Sequence, residues 1–291
     1  MRNIGMSIIS PLGTELPLAT NAKDPGDFHV MLGTNGFGLP TPVVTSTDSA
    51  GDGRRIGNVR VAGRTVILPI DVQGGSRAET EDHLNALADA ISYVDGKPLP
   101  RLRAYYASGE AREVEFLHVG GGTESFDDDE NAVSWILTLD CPDPYWTSVE
   151  YSSFVVQQNI APTGFLESLP NVYLLPSNAF GDLTVTNPGR VDSWIDWELH
   201  GPFTQVGATS DLGSWTFTDS VDEGQTIFVQ KTPTGIEVVD ETGANRYDAV
   251  DDVPVFFRLP AGSNRLAVSV LGANTATKVV GRFRPRHRLV F

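Results

Sequence analysis

The sequence predicts a mainly β protein of two domains, antiparallel throughout, with one helix packed in the first. Three observations carry this expectation. Short segments of alternating apolar and polar residues recur along the chain, separated by turns that draw on 29 glycines and 19 prolines. Helical spacing of apolar residues occurs over Arg77–Val94 and nowhere else at length. Near mid-chain a strand runs into Cys141-Pro142-Asp143-Pro144, which removes two backbone donors within three residues, so no sheet ladder continues through it. A chain of 291 residues exceeds the roughly 100–200 of a usual single core, and this proline stop is where the first core should end.

Composition narrows the function classes. With 40% hydrophobic residues the chain can build real cores. Its net charge is −16, and both halves are acidic, so a grip on nucleic acid, which needs a surplus of Lys and Arg, is not expected. Cys141 is the single cysteine, so no intramolecular disulfide can form. No run approaches the about 18 apolar residues of a membrane span, and Ile4–Ile9 is too short for a secretory core, so synthesis in a host cytoplasm is expected.

Along the chain, residues 1–50 say least, and Leu39–Ala50 reads as a surface loop. Val61 leads a hairpin through Ala62-Gly63-Arg64 into Val66–Ile70, where Pro69 suggests an edge position or a bulge. The helix over 77–94 opens on Ser76 with Glu79 three residues on, a capping box, and carries Leu84, Leu87, Ala88 and Ile91 as one apolar stripe. Gly96 and Pro98 stop it. Leu99–Val119 reads as a hairpin turning at Ser108-Gly109. After an acidic loop, Ala132–Asp140 alternates with Val133, Trp135, Leu137 and Leu139 on one face, then stops at the prolines and ends in Tyr145-Trp146.

The second half holds only strands: Ser153–Gln157, Leu183–Thr186, Trp194–His200, Trp215–Thr218, Gln225–Gln230, Gly235–Asp240, Val255–Leu259, Leu266–Val270 and Lys278–Arg284. Short strands with Gly, Pro and Asn turns predict an antiparallel sandwich. The expected division is residues 1–146, a linker over 147–177 with Pro162, Pro170 and Pro176 in its later part, and 178–291.

The chain resembles the phage distal tail protein family, in particular minor tail proteins of long-tailed actinobacterial phages. The resemblance is carried by Gly63–Gly74 and the helix after it, the hairpin Tyr105–Phe116, Asp143-Pro144-Tyr145-Trp146, Leu183–Gly189, Gly201-Pro202 and Leu259–Asn264, in that order. It implies an N-terminal split-barrel/β-sandwich ring (belt) domain with one packed α-helix, followed by a C-terminal galectin-like β-sandwich. It further implies a virion protein at the tail tip whose copies form a ring, six in number. That ring joins the tail tube to the tip or baseplate, with the tape measure and hub proteins as neighbours. In the family, hairpins and long loops of the first domain reach toward adjacent subunits, which here points to residues 20–75 and 97–130.

Sites of chemistry are sparse. In the acidic loop, Asp127, Asp129 and Asn131 have calcium-loop spacing, but Ala132 and Thr138 stand where glycine and a bidentate Glu are needed. Gly36-Phe37-Gly38 and Gly51-Asp52-Gly53 lack a phosphate cradle's third glycine, and the five histidines are scattered singly. Cys141, in a proline turn, reads as buried. With no nucleophile, base and oxyanion donor assembled, neither an enzyme nor a cofactor or metal is expected. Two surface candidates remain. Trp194, Asp196, Glu198 and His200 share one face of a predicted strand, a ring beside carboxylates that would suit a host glycan or an interface. That is the basis of an alternative reading as a carbohydrate-binding adhesin. Arg282, Arg284, Arg286 and Arg288 form a basic stripe that could dock on an acidic neighbour.

Overall fold

The computed structural model describes residues 5–20, 26–106, 108–122, 125–126, 131–157 and 181–290. The acidic run Asp127–Glu130 and residues 158–177 of the expected linker lie outside these. The chain divides into two units, Met1–Glu150 with Arg286–Phe291, and Tyr151–Pro285.

In the first unit, β1 (Gly5–Ile9), β2 (Glu15–Leu18), β3 (Phe28–Val30), β4 (Pro42–Asp48), β5 (Arg54–Val61) and β6 (Arg64–Gln73) precede α1 (Arg77–Ile91). After it come β7 (Arg101–Tyr105), β8 (Ala111–Glu115), β9 (Leu117–Gly121), β10 (Ser125–Phe126), β11 (Ala132–Cys141) and β12 (Trp146–Ser148). β11 pairs with β6 along its whole length, from Ala132 opposite Gln73 to Cys141 opposite Arg64. Alternation then buries Val66, Leu68, Ile70 and Val72 on the same side as Val133, Leu137 and Leu139, as the sequence pattern requires. β3 takes the far edge of β6, while β9 and β10 take that of β11. A second sheet runs β2-β1-β7-β8-β12, and α1 packs against β1, β2, β6 and β11.

The helix ends at Ile91, short of the expected Val94, where Ser92 turns to extended backbone (ψ 138°) while its N–H and hydroxyl both bond the Ala88 carbonyl. Ser76 caps Glu79 N at 3.3 Å, but Glu79 reaches back to Gly75 N at 2.7 Å rather than to Ser76. Leu87, Ala90 and Ile91 are its buried apolar residues.

Two expectations change. β5 pairs with β4, inside the stretch expected as a loop, and not with β6. Both edges of β6 are already taken, and the run Val43–Thr47, β-branched except at Ser46, supplies the alternative partner. Pro69, for its part, stands in a central strand. Ile67 exchanges backbone bonds with Asn35, and the Pro69 carbonyl accepts from Met31 N, so the missing Pro69 N–H faces the segment where β3 has already ended.

The second unit is a two-sheet antiparallel sandwich made of β13 (Ser152–Gln157), β14 (Asp182–Asn187), β15 (Ser193–Trp194), β16 (Asp196–His200), β17 (Phe203–Ser210), β18 (Gly213–Val221), β19 (Thr226–Thr232), β20 (Gly235–Asp240), β21 (Arg258–Leu259), β22 (Gly262–Leu271) and β23 (Lys278–Phe283). One sheet runs β13-β23-β16-β19-β20, the other β14-β22-β17-β18, and β15 pairs with β21 alone. Residues 152–157, within the linker that the sequence suggests, are thus already a strand of the sandwich. The core between the sheets is aromatic, with Trp197 edge-on to Trp215 and to Phe154, centroids 5.5 Å apart in each case. Two motifs far apart in sequence meet across it: the Asn187 side-chain N–H donates to the Leu259 carbonyl at 2.9 Å, and Asn187 lies opposite Gly262 in the β14–β22 ladder.

The chain finally re-enters the first unit as β24 (Arg286–His287), which pairs with β12 and extends that unit's second sheet to six strands. What holds it is Arg64, a buried guanidinium only 4% exposed. It donates to four backbone carbonyls, those of Gly36, Gly38, Pro144 and Arg288. Beyond β24, Val290 is 1% exposed within the same core. Gly36 must be glycine here, because its φ is +94° and a Cβ would fall 2.2 Å from the Thr65 carbonyl oxygen. Replacing Arg64 by Met should cost the first unit about 3 kcal/mol or more, since bonds to a charged donor contribute roughly 1.5–3 kcal/mol each. Urea unfolding of the full chain measures this; an unchanged midpoint would show that these bonds do not hold the unit together.

Candidate functional site

The β4–β5 ribbon stands out in the first unit because every one of its strand residues is exposed. Its register sorts the side chains. Pro42 faces Val61 and Val44 faces Val59; the ladder then shifts, with Gly57 and Asn58 opposing Thr45, so that Ser46 meets Ile56. Cross-strand partners share a face, so this bulge keeps Ile56 on the same side as Val59, Val61, Val44 and Pro42. Val43, Arg55 and Arg60 fall on the other side. Ile56 is 66% exposed and Val59 56%. An isolated two-stranded ribbon is at best marginal in water, and antiparallel sheets ordinarily cover one face. The family resemblance points to residues 20–75 and 97–130 in general, but the alternation that marks this face is masked by the bulge.

The Trp194 cluster is only partly assembled. Ile195, Trp197 and Leu199 are buried, and Asp196, Glu198 and His200 share the outward face of β16. Trp194 belongs instead to the separate β15–β21 pair, with the Arg258 guanidinium 4.7 Å above its ring. Glu198 is committed to Arg282 at 3.0 Å and stands 3.5 Å from His200 Nε2, while Asp196 accepts from Lys231 N at 3.2 Å. Burial raises Asp196 above the usual carboxylate range. Beside Arg258 lies a hollow of about 190 Å³ lined by Ser210, Asp211, Leu212, Asn264 and Arg265.

The four C-terminal arginines do not form one stripe. Arg282 is in β23 with Glu198 as its partner, and Arg284 lies over the Tyr151 ring at 5.7 Å. Arg286 belongs to the first unit, where it binds the Asp143 carboxylate and covers the Tyr145 ring at 4.7 Å. Arg288 is exposed and gives its carbonyl to Arg64. The chain leaves β-structure at Arg284-Pro285 and changes units there, which local alternation does not reveal.

Cys141 is buried, and burial pushes its thiol up to about 12, the reverse of an activated nucleophile. Among the described residues no three His, Cys, Asp or Glu side chains are grouped to hold a metal, and no helix is long and apolar enough to cross a membrane.

No family model matches the chain, and neither does any curated protein sequence. Solved structures do. The Dit protein of phage SPP1, described as a paradigm of the hub adsorption apparatus in phages infecting Gram-positive hosts, superposes with a TM-score of 0.63 at 13% identity, covering 98% of this chain and 99% of that one. A chain of the phage P2 baseplate, in its activated conformation with Ca, does so with a TM-score of 0.59 at 12% identity, over 97% and 98%. The same baseplate with Sr gives 0.57 and 12% identity, over 96% and 98%. At such identities the likeness establishes a shared fold spanning both units.

The outward cluster gives the second unit a pH signature. Burial, with help from the Lys278 ammonium, pushes His200 below its ordinary 6.5, against the pull of Glu198. A histidine depressed in the fold binds its proton more readily when unfolded, so its stabilising contribution is complete above about pH 6.5 and is lost as pH falls from there toward the folded value. Urea midpoints between about pH 7 and about pH 5 should therefore fall for the natural chain and fall less for His200→Gln. Equal slopes would remove His200 from the account.

Proposed function

We propose that this protein is a structural part of a phage virion, a distal tail (minor tail) protein whose copies form a ring at the tail tip. The ring joins the tail tube to the tip or baseplate and to the host-recognition proteins. The observation that carries this reading is the fold shared, over both units and nearly end to end, with phage hub and baseplate proteins. The uncovered ribbon fits it. A chain that displays an apolar strand face in water is completed by a neighbour. In a closed ring that neighbour is another copy, meeting the first through two different patches. The copy number of six, the tube, tape measure and hub proteins as neighbours, and an actinobacterial host follow from the family resemblance and belong to the same proposal. The role is mechanical and not catalytic. Native mass and particle imaging of the purified protein should show a closed multi-subunit ring, and labelled antibody should mark the tail tip of intact virions. A lone subunit at high concentration, absent from virions, would overturn the proposal.

A second reading, a host-glycan site on the sandwich, is favoured by one observation: a hollow lined by the Asp211 carboxylate, the Ser210 hydroxyl and Arg258, whose guanidinium lies over the Trp194 ring. On that reading, glycan-array signal from the full chain drops at least tenfold in Trp194→Ala, and an array with no signal above background rejects it.

A further inference from the structure

We infer that the hollow beside Arg258 receives the acidic group of a charged saccharide, a carboxylate or a phosphate, and that Trp194 serves it by holding Arg258 rather than by touching the sugar. This rests on the second reading above, a glycan site on the sandwich, and names the class of glycan.

Arg258 sets the chemistry. It is exposed, and among the described residues its guanidinium meets no carboxylate and gives no hydrogen bond. What holds it is the Trp194 ring, its centroid 4.7 Å away. The two are cross-strand partners in the β15–β21 pair, so their side chains rise on one face. A guanidinium laid over a ring keeps its N–H fork free at the edge, and that planar fork matches a carboxylate or phosphate through two parallel bonds. The other arginine of the hollow, Arg265, is already committed to Asp182 at 3.1 Å.

The rest of the hollow suits the sugar that carries the anion. Asp211 has no side-chain partner among the described residues, so its carboxylate is open to hydroxyl donors. Ser210 Oγ accepts from Leu212 N at 3.1 Å, which leaves the hydroxyl proton to donate. A bare anion gains only from Arg258 and is repelled by Asp211. A neutral sugar leaves the guanidinium unmatched. A saccharide bearing both an acid and hydroxyls uses both groups, and that difference is the selectivity. The site is also fixed in advance. Leu259 and Leu266 are buried, and the Leu259 and Pro260 carbonyls are held by the Asn187 and Asn264 amides, at 2.9 Å each. Charge at large runs against such a ligand: a chain of net charge −16 repels acidic glycans, so a preference for them requires a local cation without an acid of its own.

The test arrays matched oligosaccharides that differ at one sugar, which is glucuronate, glucose phosphate or plain glucose, and reads the full chain on them. At least one acidic form should exceed the neutral form about tenfold, and the two acidic arms tell which anion is preferred. Arg258→Gln, at an exposed position, should keep the circular dichroism of the natural chain and erase the difference. Trp194→Phe, which keeps a ring under the guanidinium, should retain the preference. Trp194→Ala should lower the acidic signal toward the neutral one and leave the neutral one unchanged. Equal signal on acidic and neutral forms, or a preference that survives Arg258→Gln, overturns the inference and leaves a glycan site in place. A Trp194→Ala variant that lowers all forms in proportion assigns the ring to the sugar and overturns its positioning role. No signal on any form overturns the glycan reading itself.

Discussion

The first unit depends on one buried cation. Arg64 opens the central strand β6, yet its guanidinium is spent on chain that no local rule would place nearby: the Gly36-Phe37-Gly38 loop, the proline turn after β11 and the C-terminal tail. A guanidinium removed from water needs acceptors in compensation, and four carbonyls supply them without a carboxylate. Trp146 lies beneath it, 5.9 Å from the guanidinium carbon and fully buried, with Phe37 stacked on the indole at 5.6 Å. The loop, the turn and the tail are therefore fixed together, and the sixth strand of the sheet follows from that.

The second unit is organised by different means. Its core is aromatic and its polar joints are asparagines. Asn187 donates to Leu259 while its carbonyl oxygen accepts from Gly189 N at 2.9 Å, and Asn264 donates to the carbonyls of Pro260 and Gly262 at 2.9 and 2.8 Å. Each amide satisfies a turn that would otherwise leave carbonyls unpaired. The outward charges of β16 pair along the sheet rather than pointing outward as a free constellation.

The two units differ in what they leave exposed. The first unit displays a ribbon whose strand residues are all exposed. In the second, Glu198 on the outward face of β16 pairs with Arg282 and His200. The fold that the chain shares with phage hub and baseplate proteins spans both units. A net charge of −16 makes copies repel at a distance.

Much of this was legible in the residues. Alternation at β6, β11 and β16 set which side chains are buried, helical spacing with Ser76 and Glu79 located α1, and the prolines after Cys141 marked where β11 stops. These are local signals, because the period of a strand or helix is written in consecutive residues. What the sequence could not decide is which distant strands meet. The pairing of β5 with β4, the separation of Trp194 from Asp196, the return of Arg286 to the first unit and the partners of Arg64 were settled only in three dimensions. Backbone carbonyls are the same at every position, so a side chain that binds them leaves no complementary residue to find. A strand edge is claimed by whichever partner buries more, and that comparison exists only once the whole chain has folded.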